Sequence, residues 1–212
     1  MSTTLDNPRF ARMYVKAAAR AERRGAHDHR RRLLAGLHGT VLEVGAGHGL
    51  NFSNYPATVT KVIALEPNRA LREQAESAAA DAAVEVDVLD GLADALPVAD
   101  ESVDAAVASL VLCSVPDQAV ALAELNRVIR PGGELRFYEH VIPNCQPKRT
   151  LTRLVDRSGL WPRIAGGCHP ARDTTTAIGD AGFDITDIER FMFAASPIEP
   201  SMPHIIGSAI RR

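Results

Sequence analysis

Val41-Leu42-Glu43-Val44-Gly45-Ala46-Gly47-His48-Gly49 is the stretch that decides the fold of this 212-residue chain. A short apolar strand runs into a glycine-rich turn, with room for a helix to follow. Glycine adopts positive φ without steric cost and lets the backbone approach a ligand closely. Backbone N–H groups exposed by such a turn hold an anionic group, a carboxylate or a phosphate. The dinucleotide fingerprint G-x-G-x-x-G needs a small residue at position 50, where Leu50 stands. The spacing is E-x-G-x-G-x-G instead, which disfavours a nicotinamide oxidoreductase.

Strands and helices alternate outward from that turn. After the strand over 41–44, apolar runs over 62–66, 84–88, 103–109 and 134–140 read as further strands. Residues 69–80 are good helix formers. In 117–129, Leu122, Leu125, Val128 and Ile129 share one helical face, and Pro131-Gly132-Gly133 ends the helix. Residues 174–181 read as a helix, and 183–193 and 204–210 as two strands joined by a proline-rich loop. They are expected to pair antiparallel at one edge. The fold class is therefore α/β: a doubly wound, Rossmann-like, seven-stranded, mainly parallel sheet with an antiparallel last strand. One domain is expected over 1–212, with an Ala- and Arg-rich helical lid over 1–37, interrupted at Gly25, and a substrate-side insertion over 141–173.

Composition narrows the function. A net charge of −2 gives no basic excess for nucleic acid. No run of about 18 apolar residues offers a membrane span, and no apolar N-terminal segment reads as a secretory signal. Cys113, Cys145 and Cys168 are odd in number and far apart, which suggests reduced thiols in a cytoplasmic protein. No CxxC or HxxxH pair marks structural zinc, so no metal is expected. Arginine greatly outnumbers lysine and alanine is abundant, a bias of GC-rich, actinobacterial-looking chains.

In open parallel sheets, ligands sit beyond the carboxyl ends of the strands. Glu66 stands at such an end, about twenty residues after the glycine turn, where a carboxylate can accept two hydrogen bonds from a ribose diol. His140 ends the fifth strand and is the leading general base, with Glu139 beside it. His169 and Arg172 of the insertion are candidate ligands for a polar acceptor. Cys168 is not needed as a nucleophile, and His204 reads as a structural histidine.

The glycine turn, Ser109-Leu110-Val111-Leu112-Cys113-Ser114-Val115, Val128-Ile129-Arg130-Pro131-Gly132-Gly133 and Phe137-Tyr138-Glu139-His140-Val141 together resemble the class I S-adenosylmethionine (SAM)-dependent methyltransferases. Gly167-Cys168, Arg172, Pro203-His204-Ile205 and Gly207 are similar to one branch of them, which includes the methyltransferase-like seven proteins that methylate alkyl thiols. The resemblance covers about residues 38–212. It implies SAM as cofactor and S-adenosylhomocysteine as product. It places the cofactor on Glu43, Gly45, Ala46, Gly47, Glu66, Pro67, Asn68, Leu92, Ala93, Ser109 and Leu110, with Tyr14 of the lid closing over the methionine carboxylate. Leu92 stands where many members carry Asp. Charged helices occupy the place of that branch's membrane anchor, so the expected acceptor is small and polar. The first expectation is a hydroxyl of a sugar or oligosaccharide precursor. Thiol S-methylation and quinone or lipid C-methylation are the alternatives, and a non-catalytic SAM-binding regulator is the reading from another class. A homodimer is compatible with this assignment.

Overall fold

The computed structural model describes residues 6–196 and 199–212. The first five residues of the expected lid, and residues 197–198 of the proline-rich loop, lie outside that range. Seven strands form one sheet: β1 (Gly39–Val44), β2 (Val59–Leu65), β3 (Glu85–Leu89), β4 (Val103–Ser109), β5 (Ile129–His140), β6 (Phe183–Phe193) and β7 (Met202–Arg211). Their order is β3-β2-β1-β4-β5-β7-β6. The first five are parallel, and β7 runs antiparallel between β5 and β6. The final pair is antiparallel as expected, but only β6 is the edge.

The helices are α1 (Pro8–Ala21), α2 (His27–Leu34), α3 (Arg69–Ala80), α4 (Gln118–Val128), α5 (Gln146–Arg157), α6 (Leu160–Ile164) and α7 (Thr174–Asp180). Their starts are written in the sequence. Asn7, Asn68, Asp117 and Asp173 each accept backbone N–H groups from the first turn of the helix that follows. The glycine turn is followed by only a short 3₁₀ turn, Phe52–Asn54, because Tyr55-Pro56 sends the chain directly back toward β2. The insertion over 141–173, for which no helix is expected from the sequence, contains α5 and α6. No helix of the described residues is long and apolar enough to cross a membrane.

Strand alternation sorts the core into two layers. Leu42, Val44, Ala106, Ala108, Leu135 and Phe137 face α4 and α7, where Leu122, Leu125, Val128 and Ile178 are fully buried. Val41, Val62, Ala64, Ala105 and Val107 face the opposite side, against Leu33 and Leu34 of α2 and Ala75 of α3. The small residues Ala105, Ala106 and Ala108 in the central strand β4 let both layers come close. The chain order reverses between β1 and β4, so a crevice opens at their carboxyl ends.

The sheet tolerates little at its antiparallel seam. A Cβ on Gly207 of β7 would lie 2.2 Å from the Asp187 carbonyl and 2.8 Å from the Phe137 ring. Neither can yield without shifting the sheet. Gly207→Ala should therefore destabilise the protein by about 1–3 kcal/mol. Gly132→Ala, in open space at positive φ, should cost only about 1 kcal/mol. Urea denaturation of the two variants checks this, and equal midpoints would refute the packing argument.

Candidate active site

The crevice gathers the residues predicted for the cofactor from separate elements. Gly45 and Gly47 both hold positive φ, 65° and 60°. A Cβ on Gly45 would strike Val111 at 2.6 Å, and one on Gly47 would meet the Tyr14 hydroxyl at 3.0 Å. The turn is pinned to β2, since Ala46 N–H donates to the Leu65 carbonyl at 3.0 Å. Glu66 follows β2 directly. Its carboxylate accepts from Gly47 N–H and Asn68 N–H, each at 2.8 Å. Glu66 N–H donates to the Leu89 carbonyl, which brings the segment carrying Leu92 and Ala93 alongside. Ser109 and Leu110 end β4. Leu110 takes φ 60°, a left-handed conformation unusual for leucine, and the Ser109 hydroxyl is buried without a partner among the described residues. An unsatisfied buried hydroxyl, a carboxylate braced by backbone N–H groups and a cradle at positive φ suit a nucleoside bearing a charged tail.

Tyr14 of α1 lies over this turn, with its ring edge-on to His48 at 5.8 Å. Burial pushes its hydroxyl pKa up. The insertion closes from the other side: a Cβ on Gly166 would overlap the Phe10 ring at 2.3 Å. Arg30 of α2 ties the lid to β1. It donates to Glu22 at 2.9 Å and to Asn51 at 3.1 Å, and Asn51 in turn donates to Glu43 at 2.7 Å.

Glu43 is 1% exposed and lies beneath the turn rather than at its surface. Its second oxygen accepts from the Tyr55 hydroxyl at 2.7 Å. Burial raises its pKa to about 7, against the hydrogen bonds of Tyr55 and Asn51 and the charge of Arg30. Burial raises the Glu66 pKa also.

At the end of β5 the strand alternation persists, so Glu139 and His140 turn to opposite faces. Glu139 is fully buried and accepts three backbone N–H groups, from Val111 at 3.0 Å, Leu112 at 2.9 Å and Cys113 at 3.1 Å. Burial nonetheless holds its pKa well above the usual carboxylate range. His140 Nδ1 stands 3.8 Å from Cys113 Sγ and 3.5 Å from Cys168 Sγ. Burial lowers the His140 pKa, but the Cys113 hydrogen bond and nearby charges outweigh it. The two thiols are coupled: the Cys168 pKa falls because Cys113 donates to it, and that same bond with burial lifts Cys113 to about 12. Nothing in the spacing of Cys113 and Cys168 signals this meeting. The topology creates it, by delivering the β4 end, the β5 end and the insertion to one place.

The two residues expected to bind a polar acceptor are engaged within the protein. Arg172 donates to the carbonyls of Leu112 and Val115, and His169 pairs with Asp156 at 3.0 Å. His169 N–H also donates to the Cys113 carbonyl at 2.7 Å. Beside His140, the His204 ring lies at 4.3 Å, within a cluster of His29, Tyr138, Phe191 and Phe193. Burial holds His204 neutral, with its pKa down to about 3.

Glu43 gives stability a pH dependence. Its folded pKa lies above the unfolded value of 4.5. Between 4.5 and about 7 the folded state retains a proton that the unfolded chain has released. Stability therefore falls as pH rises through that window, by up to about 3 kcal/mol, and levels off above it. Glu43→Gln should flatten that part of the slope in denaturation measured between about pH 5 and pH 7.5. A variant with the wild-type slope would show that Glu43 does not titrate there.

The comparisons with known proteins agree with this geometry. Residues 42–137 match the family model described as a methyltransferase domain. The chain is 34% identical over 179 residues to thiol S-methyltransferase TMT1B of Rattus norvegicus, covering 81% of this chain and 70% of that protein. It is 33% identical over 175 residues to thiol S-methyltransferase TMT1A of Homo sapiens, with the same coverage of 81% and 70%. Among solved structures, a SAM-dependent methyltransferase of Thermotoga maritima superposes with a TM-score of 0.71 at 21% identity, covering 96% of this chain and 97% of that one. The [4+2]-cyclase SpnF superposes at 0.68 with 20% identity, covering 88% and 79%. The last likeness shows that this fold alone does not fix the reaction. Sequence identity over four fifths of the chain does more: together with the strand order and the glycine cradle, it establishes that this chain belongs to the class I SAM-dependent methyltransferases.

Proposed function

We propose that the chain methylates the sulfur of a small thiol. Methyl transfer from a sulfonium is an in-line displacement, and the protein's main task is to hold acceptor and methyl group in line. A hydroxyl acceptor would also require a base, because its pKa lies far above neutrality. A thiol ionises appreciably near pH 8–9 by itself, and its thiolate is a strong nucleophile. The observation that carries the reading is that Glu139, Arg172 and His169, expected to serve a polar acceptor, are engaged within the protein. Glu139 is spent on three backbone N–H groups, His140 Nδ1 faces two sulfurs, and Arg172 and His169 tie the insertion down. The half-buried rings of Phe191 and Phe193 beside His204 offer an apolar surface suited to an alkyl or aryl group. The thiol S-methyltransferases among the relatives support this choice over the sugar hydroxyl.

For the cofactor, Gly45, Ala46 and Gly47 hold the methionine moiety beneath Tyr14. Glu66 accepts the ribose hydroxyls, while Pro67 and Asn68 shape the turn behind it. Leu92, Ala93, Ser109 and Leu110 flank the adenine. Glu43 acts from below by fixing Asn51 and Tyr55, and Glu139 acts as a positioning residue for the loop after β4.

Two measurements check these roles. With radiolabelled SAM, a simple alkyl thiol should turn over about 10²-fold or more faster than the alcohol of the same shape. A preference for the alcohol would sink the thiol reading. Glu66→Ala should weaken SAM binding by about ten- to a hundredfold in calorimetry. Unchanged affinity in a folded variant would remove Glu66 from the site.

A further inference from the structure

We propose that Cys113, His140 and Cys168 form a zinc site with two sulfur ligands and one nitrogen ligand, whose fourth position is open to an exogenous ligand. The three ligand atoms come from the loop after β4, the end of β5 and the insertion, and all lie within 4.8 Å of one another. In a tetrahedral site with Zn–S about 2.3 Å and Zn–N about 2.0–2.1 Å, sulfur and nitrogen stand roughly 3.5–3.6 Å apart. The observed separations from His140 Nδ1 are 3.8 Å to Cys113 and 3.5 Å to Cys168. The two sulfur–nitrogen edges of the ligand tetrahedron are thus already close to the lengths zinc requires. No further His, Cys, Asp or Glu joins the group among the described residues.

Each ligand is held by its own backbone. Cys113 donates its N–H to Glu139 and accepts from His169 N–H. Cys168 N–H donates to the Ala165 carbonyl at 3.2 Å, and His140 pairs in register with His204 across β5 and β7. Arg172 fastens the carbonyls on either side of the same loop. Such support around the ligands is what sets their direction before the metal arrives. Charge also balances, because two thiolates and a neutral imidazole around a divalent cation leave no net charge in a buried place. Two packed cysteines serving only as small apolar residues would need no imidazole nitrogen aimed between them.

Three protein ligands with an open fourth position is the arrangement of a catalytic zinc rather than a structural one. The role at that position rests on the thiol reading. A thiol acceptor loses its proton to solvent and binds through its sulfur. A sulfur electron pair then forms the bond to the methyl carbon. The bond from that carbon to the sulfonium breaks, and its pair returns to the cofactor sulfur. The products are a thioether and S-adenosylhomocysteine. Metal binding itself does not depend on which acceptor is used.

The test is made on the reduced full-length protein, stripped of metal by a chelator and titrated with Co2+. Binding should saturate at one equivalent per chain and produce the near-ultraviolet thiolate-to-cobalt charge-transfer band, with the visible bands of tetrahedral cobalt. Zn2+ should then displace the signal. Cys168→Ser and His140→Ala should each weaken metal binding by more than about 100-fold, above what loss of an outer contact costs. Their SAM affinity, read by calorimetry, should stay within about threefold of wild type. Cys145→Ser, at the exposed cysteine, should keep the band. Absence of the band in reduced, SAM-binding protein would overturn the proposal, as would a band that survives Cys168→Ser and His140→Ala. If the metal binds as described and alcohols are nonetheless the better acceptors, the thiol reading falls and the site stands.

Discussion

The buried carboxylate of Glu139 organises the end of the sheet where the chemistry lies. β4 stops at Ser109, and beyond Leu110 the chain must turn sharply toward α4 with no sheet partner for its next N–H groups. Glu139 takes three of them in succession, from Val111, Leu112 and Cys113. A buried carboxyl group left without donors in that place would be costly, and so would three unpaired buried N–H groups. Burial still keeps the Glu139 proton affinity high. The loop and the carboxylate therefore stabilise each other, and neither is arranged without its counterpart. The left-handed Leu110 is tolerated for the same reason. Its N–H is fixed to the Tyr138 carbonyl at 2.7 Å on one side, and its successor is fixed to Glu139 on the other.

A second network joins the lid to the cradle. Arg30, Asn51, Glu43 and Tyr55 make one continuous run from α2 to the underside of the glycine turn. Arg30 is 7% exposed, so its charge is compensated inside the protein by Glu22 and the Asn51 amide oxygen. The sheet side of the site is thus connected to the helices that cover it through polar groups, which specify geometry more sharply than apolar contacts do.

The parts of this design that were legible in the sequence are those with local signatures. Alternation, capping residues and the glycine spacing located the strands, most helices and the cradle. The place of Glu66 directly after β2 is legible because it follows from chain direction alone. Glu43 was misplaced in depth: a strand residue next to a ligand loop reads as facing the ligand, and only the packing of Tyr55 and Asn51 beneath the turn reveals otherwise. The bracing role of Glu139 beside the candidate base His140 is not legible for a related reason, since three N–H donors on a loop 26 to 28 residues away leave no local mark. The meeting of Cys113 with Cys168 depends on the insertion folding back over β4, which no spacing rule encodes. His169 and Arg172 read as ligands for an outside molecule because their partners, an aspartate of the insertion and carbonyls of the loop after β4, leave no local mark.

Gly25 holds φ 110° between α1 and α2, and nothing lies within 4 Å of where its side chain would be. It is a joint with free space around it, at the base of the helix that carries Phe10 and Tyr14. Tyr14 of that helix lies over Gly47 and Phe10 lies against Gly166, so α1 touches the glycine turn and the insertion at once. A side chain at position 25 would be strained by its backbone angle and not by crowding, so any other residue there would bend the joint before it met a neighbour. The seating of Phe10 and Tyr14 is set in this way by one backbone angle well along the chain from either ring, which only glycine adopts without strain.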